Sequence, residues 1–190
     1  MSMALQKPMT RAQFLAWEEA QELRYEFDGS QPVAMTGGTA THARLQRNLA
    51  ITVGGRLRGT PCEFYGSDLK IETARGIRYS DGFVACSAVA GDATVVPEPV
   101  VILKVLGEST ARTDLVTKNQ EYAAIGSVRR YIVLAQDEMA GTMFERIGDD
   151  WVGHLLNAAS ILRMPEIGIE VALDELYQGV AFPEPERQQS

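Results

Sequence analysis

At 190 residues, 45% hydrophobic and 23% charged, the chain has the size and balance of one soluble globular domain with a single core. A net charge of −7 argues against a broad electrostatic footprint for nucleic acid, because affinity for phosphate rises with the Lys and Arg that displace counterions; such a role would need a local basic face. The N-terminal Met-Ser-Met-Ala-Leu-Gln-Lys-Pro has no apolar signal region and no apolar run approaches a membrane span, so a cytoplasmic protein without a membrane partner is expected.

Thr10 followed by Gln13 is a capping box that opens a helix through about Ala20, with Phe14, Leu15 and Trp17 on its apolar side. Leu23 to Phe27 and Pro32 to Met35 read as strands around Asp28-Gly29-Ser30, since Asp-Gly supplies the positive φ of a tight hairpin. From Thr41 to Leu57 the residues Leu45, Leu49, Ile51, Val53 and Leu57 form a helical stripe, softened late by Gly54-Gly55, each costing about 1 kcal/mol relative to Ala. Cys62 to Tyr65, Asp68 to Glu72 and Gly82 to Cys86 follow as short strands, expected to be antiparallel neighbours. Cys62 and Cys86 themselves lie far apart with no metal spacing, so neither a zinc site nor a disulfide is expected, and both read as buried thiols in a reducing compartment.

Gly91 to Pro99 reads as a surface loop, and Val100 opens an apolar strand buried on both faces. Thr113 or Asp114 caps a helix carrying Leu115, Tyr122 and Ala123 and ending at Gly126; Arg130 to Leu134 then returns as a strand, which implies a right-handed crossover. Met143 to Glu145 and Trp151 to Leu155 form a hairpin about Gly148-Asp149-Asp150, followed by a loop and a short helix near Leu173 to Tyr177. One domain spans 1–182, and the Pro- and Gln-rich 183–190 is expected to be a frayed tail.

Lys104 stands in the middle of Val101-Ile-Leu-Lys-Val105, where an ammonium must find a carboxylate, lose its proton or reach the open end of the sheet. Each outcome marks that strand end as a candidate site.

The order of elements resembles the restriction-endonuclease-like PD-(D/E)XK superfamily and, more narrowly, the Uma-type family of restriction endonucleases. The resemblance rests on Tyr25-Glu-Phe-Asp-Gly29, His42 with Asn48-Leu49, Ser80-Asp-Gly-Phe-Val84, and Val101-Ile-Leu-Lys-Val-Leu-Gly-Glu-Ser-Thr110 followed by Asp114, Lys118, Tyr122 and Gly126. It implies an α+β fold with α/β/α layering: a mixed central sheet flanked by helices, with an N-terminal helix and hairpin. It also implies DNA as partner and Mg2+ or Mn2+ held by carboxylates at adjoining strand ends, with a lysine to orient the attacking water.

By that resemblance Asp81 matches the metal-binding aspartate, Lys118 the helix lysine and Glu26 an N-terminal acid near the metal. Ser80 replaces the usual proline, and Lys104 falls where the second metal-binding glutamate belongs. Two unit charges about 4 Å apart interact by roughly 1 kcal/mol in water and roughly 4 kcal/mol at an effective dielectric near 20. Exchanging −1 for +1 beside a divalent ion changes four such interactions, a raw penalty on the order of 4 to 16 kcal/mol before relaxation. An ion pair between Lys104 and Asp81 is the expected alternative, with Glu108, Asp68 or Glu72 as the source of any displaced ligand.

Taken alone, Asp81 also fits a turn or cap, Lys118 a solvated helix lysine paired with Asp114, Glu26 the outer side of a hairpin, and His42 a polar residue at a helix start. Tyr122 is expected to pack the helix onto the sheet. Three functional readings follow: a metal-dependent endonuclease, a pseudonuclease of the same fold with no working metal centre and hence no cofactor, binding nucleic acid or a protein partner, and a homodimeric scaffold joined through exposed strand edges.

Overall fold

The computed structural model describes residues 8–35, 37–96, 98–107 and 110–182; the expected tail and Glu108 lie outside them. Helix α1 (Arg11–Glu18) starts at the capping box read from the sequence, Thr10 and Gln13 bonding reciprocally, and buries Phe14. The hairpin of β1 (Tyr25–Phe27) and β2 (Pro32–Ala34) turns at Gly29, φ +100°, while the Asp28 carboxylate accepts the N–H groups of Ser30 and Gln31.

Helix α2 (Ala40–Leu49) runs on into a π-helical turn, Ala50–Gly54. Leu45, Leu49, Val53 and Leu57 recur every four residues and are all buried. On a pure α-helix that spacing would drift round the axis; the wider π turn, with its i→i+5 bonds, offsets the drift. Ile51, expected in the stripe, is 65% exposed because it falls two residues out of that repeat.

The remaining strands are β3 (Glu63–Tyr65), β4 (Lys70–Glu72), β5 (Ile77–Tyr79), β6 (Gly82–Ala85), β7 (Val95–Val96), β8 (Val101–Val105), β9 (Arg130–Leu134), β10 (Gly141–Ile147), β11 (Asp150–Leu156), β12 (Ile161–Met164) and β13 (Ile169–Ala172). A six-stranded central sheet has the order β11-β10-β9-β8-β6-β3 and is mixed, with β8 and β9 parallel across the crossover. A five-stranded sheet, β2-β1-β5-β4-β7, holds the N-terminal hairpin, and β12–β13 is a separate ribbon.

Four expectations change. The run ending at Glu72 pairs with β5, a strand the sequence reading missed, and so joins a different sheet from β3 and β6. The stretch read as a loop before β8 contains β7, parallel to β4, and the segment before the last helix α4 (Leu173–Leu176) is the hairpin β12–β13. The crossover helix is a π turn, Thr113–Lys118, continuing as α3 (Asn119–Ala123), and neither Thr113 nor Asp114 caps it; the Asp114 N–H bonds to the Thr110 carbonyl instead.

The two cysteines are also corrected: Cys62 and Cys86 form a disulfide. The β3–β6 register sets Glu63 opposite Ala85, so the next opposed pair is Cys62 and Cys86, with Cα atoms 3.9 Å apart although 24 residues separate them in sequence. The argument for a reducing compartment, drawn from separate thiols, loses its ground. Among the described residues no helix is long and apolar enough to cross a membrane.

Apolar side chains cover both faces of the central sheet. Val101, Leu103 and Val105 face a cluster with Leu45, Leu49, Val53 and the β12–β13 ribbon, while Ile102 faces one with Tyr122 and Tyr131. Between β5 and β6 the chain passes from one sheet to the other at Ser80-Asp81, and this junction positions the site.

Candidate functional site

Asp81 enters β6 with its N–H on the Leu103 carbonyl, so its side chain points along the end of β8. One carboxylate oxygen accepts Lys104 Nζ at 2.7 Å and the Val105 N–H at 2.7 Å. The other accepts Gln46 Nε2 at 2.7 Å and lies 3.2 Å from His42 Nε2. The Asp81 side chain is only 5% exposed, whereas Lys104 and His42 reach solvent at 13% and 15%. The lysine therefore neither stands unpaired in the core nor escapes from it; it pairs with a carboxylate, as a buried ammonium must. Gln46 and His42 share a face of α2 at i, i+4, which brings both to one carboxylate.

Burial would raise the Asp81 pKa, but the hydrogen bond from His42 and the charge of Lys104 together hold it well below the ordinary carboxylate range. A lowered folded pKa contributes stability that is complete above the unfolded value of 3.8 and is lost as pH falls through the folded value. The stability gap between the native protein and Asp81→Asn is accordingly expected to be constant from neutral pH to about pH 4 and to close below it. Urea titrations of both proteins across that range check the sign; a gap that widens on acidification would contradict the ion pair.

Glu26 and Lys118 meet in a second, more deeply buried group. Glu26 Oε1 accepts Lys118 Nζ at 2.8 Å and the Tyr79 N–H at 3.0 Å, and its other oxygen lies 3.5 Å from Arg78 Nη1. Lys118 also reaches Asp114 at 3.0 Å, and Asp114 takes the Thr110 hydroxyl at 2.6 Å. Arg78 donates to both oxygens of Glu121, at 2.7 and 2.6 Å, and Thr73 Oγ1 stands 3.4 Å from the same carboxylate. Burial opposes charge on Lys118, but Glu26 and Asp114 outweigh it and keep the ammonium protonated. Three carboxylates thus share two cations. Tyr122 packs edge-on against Tyr131, its hydroxyl has no partner among the described residues, and burial raises its pKa well above the usual value.

The predicted residues fall into two pairs, Asp81 with Lys104 and Glu26 with Lys118, and no hydrogen bond or ion pair joins the pairs among the described residues. Two proposed ligand sources sit elsewhere, Glu72 pairing with Arg11 and Asp68 with Arg24, both at the surface. Sequence reasoning missed Gln46, Arg78 and Glu121. Arg78 left a legible signal, a charge between Ile77 and Tyr79 like that of Lys104 in its own strand, but its strand is only three residues long.

Uma2, a family described as putative restriction endonuclease, matches residues 11–173 of the chain. The chain belongs to the Uma2 family. Among similar sequences, the uncharacterized protein slr1290 of Synechocystis is 29% identical over 174 residues, covering 90% of this chain and 92% of that protein. A second, the uncharacterized protein sll1609 of the same organism, is 26% identical over 154 residues and covers 78% and 87%. The crystal structure of a putative nuclease belonging to DUF820 from Anabaena variabilis superposes with a TM-score of 0.78 at 11% identity, covering 92% of this chain and all of that one. That likeness shows the fold: the Uma2 chain is an α+β protein of restriction-endonuclease-like architecture.

Proposed function

We propose that this Uma2 chain is a nuclease-fold protein in which an internal ammonium takes the place of a catalytic divalent ion, so that it binds nucleic acid without cleaving it. The observation that carries this reading is the 2.7 Å contact of Lys104 Nζ with Asp81. A hard cation such as Mg2+ needs several oxygen donors around one point. Both oxygens of Asp81 are already engaged, those of Glu26 are held by Lys118, Tyr79 and Arg78, and among the described residues no group of three or more His, Cys, Asp or Glu has the spacing to hold a metal. The residues present do not fit Mg2+ or Mn2+. Lys104, His42 and Gln46 reach solvent while Asp81 is buried, so the site offers a cation to a phosphate where a metal-binding relative would offer carboxylates to the ion.

Calorimetric titration with Mn2+ is the test. The native protein is expected to give no binding heat and Lys104→Glu to give a saturable one, while plasmid DNA stays intact with the native protein and is retained in a low-salt filter assay. Tight Mn2+ binding by the native protein would overturn this reading, and nicking abolished by Asp81→Ala would establish a working nuclease instead.

A homodimer is a second reading, favoured by β11. This outermost strand of the central sheet runs seven residues, has no Lys, Arg or Pro to guard its edge, and leaves Leu155 88% exposed. Trp151, Gly153 and Leu155 share one face, and antiparallel pairing of two copies about Gly153 would set Leu155 of each against Trp151 of the other. Light scattering is expected to give a dimer that Leu155→Lys dissociates; a monomeric native protein ends this reading.

A further inference from the structure

We propose that Cys62 and Cys86 are a reversible thiol switch that controls how firmly the edge strand β3 braces the Asp81 site. β3 is three residues long, lies at the rim of the central sheet and pairs on one side only, with β6. So short an edge strand has little backbone bonding of its own, and the disulfide at the end of its ladder supplies much of its attachment.

Phe64, the middle residue of β3, transmits that attachment. A Cβ on Gly82 would fall 2.5 Å from Phe64 Cζ, and one on Gly54 would fall 3.4 Å from Phe64 Cβ. The ring is thus seated on the residue that follows Asp81 and on the π turn that continues α2, the helix carrying His42 and Gln46. Both walls of the Asp81 site rest against one side chain, and that side chain hangs on the disulfide-linked strand.

The chemistry is thiol–disulfide exchange with a low-molecular-weight thiol. Cys62 is buried and Cys86 is partly exposed, so the incoming thiolate attacks the Cys86 sulfur, forms a mixed disulfide there and expels the Cys62 thiolate. A second external thiolate releases Cys86 as a thiolate and leaves with the first as a small disulfide, the pair of electrons having passed to the protein. Oxidation by that small disulfide runs the same steps backwards. The switch does not depend on whether the site holds metal or nucleic acid.

Amide hydrogen exchange of the full chain tests it, with the Val105 N–H, which donates to Asp81, as reporter. In protein shown by mass to be fully reduced, this amide is expected to exchange at least tenfold faster than in the oxidised form, with amides of β9 and β10 changing less than twofold and the oxidised rate returning on reoxidation. Cys62→Ser/Cys86→Ser is expected to show the fast rate in either redox buffer; the native protein compared in its two states remains decisive if that variant does not fold. Three results would overturn the proposal: Val105 exchange equal within twofold in the two states, free thiols persisting in a glutathione disulfide buffer, or all amides accelerating together, which would make the bond a general staple.

Discussion

Arg78→Met is expected to lower the unfolding free energy by about 3 to 5 kcal/mol, the usual consequence of removing one member of a buried ion pair. Arg78 is 3% exposed and holds both oxygens of Glu121 while facing Glu26. Without it, Lys118 still pairs with Glu26 and Asp114, but Glu121 keeps only the Thr73 hydroxyl at 3.4 Å among the described residues and is left an underpaired carboxylate in a poorly solvated interior. Adding Glu121→Gln should restore a good part of the loss, because the neutral amide removes the charge that lacked a counterpart. Urea denaturation at neutral pH measures both; a loss under about 1 kcal/mol for Arg78→Met would mean that water reaches the network.

The second large effect is expected at Lys104. Lys104→Met keeps most of the side chain's length and its apolar stem but leaves Asp81 with the Val105 N–H, Gln46 and His42. Those partners hold the cost near the lower end of the range for a broken buried pair, about 3 kcal/mol at neutral pH. Protonating Asp81 removes the charge that misses its partner, so the same substitution should become nearly neutral well below pH 4. Chemical denaturation of native and variant protein at both ends of that range decides it. A cost that does not diminish in acid would assign the stabilisation by Lys104 to packing of its stem.

What the sequence showed and what it concealed divide along physical lines. Local chemistry was legible: the Thr10–Gln13 capping box, the turn at Gly29 and the apolar run of β8 each depend on neighbours in the chain, and each is where it was expected. The cost of burying an ammonium left Lys104 three outcomes, a carboxylate partner, a lost proton or the open end of the sheet, and the fold takes the first. The disulfide was not legible, since it arises from the register of β3 against β6, a relation among residues far apart in the chain. Strands as short as β5 and β7 carry too few residues for alternation to show, and so the five-stranded sheet was not assembled although its hairpin β1–β2 and the run of β4 were read as strands. Arg78 and Glu121 were hidden for the same reason, each sitting in an element whose partner could not be placed without the fold.

The junction at Ser80-Asp81 has a consequence for how variants of this protein will behave. The carboxylate there binds the backbone of β8 through the Val105 N–H at the point where the chain leaves one sheet for the other, so it ties the junction to the central sheet whatever binds at the site. A screen for soluble expression, run with no DNA and no metal, should therefore find position 81 among the least tolerant in the protein, giving an acidic residue there an architectural reason to persist.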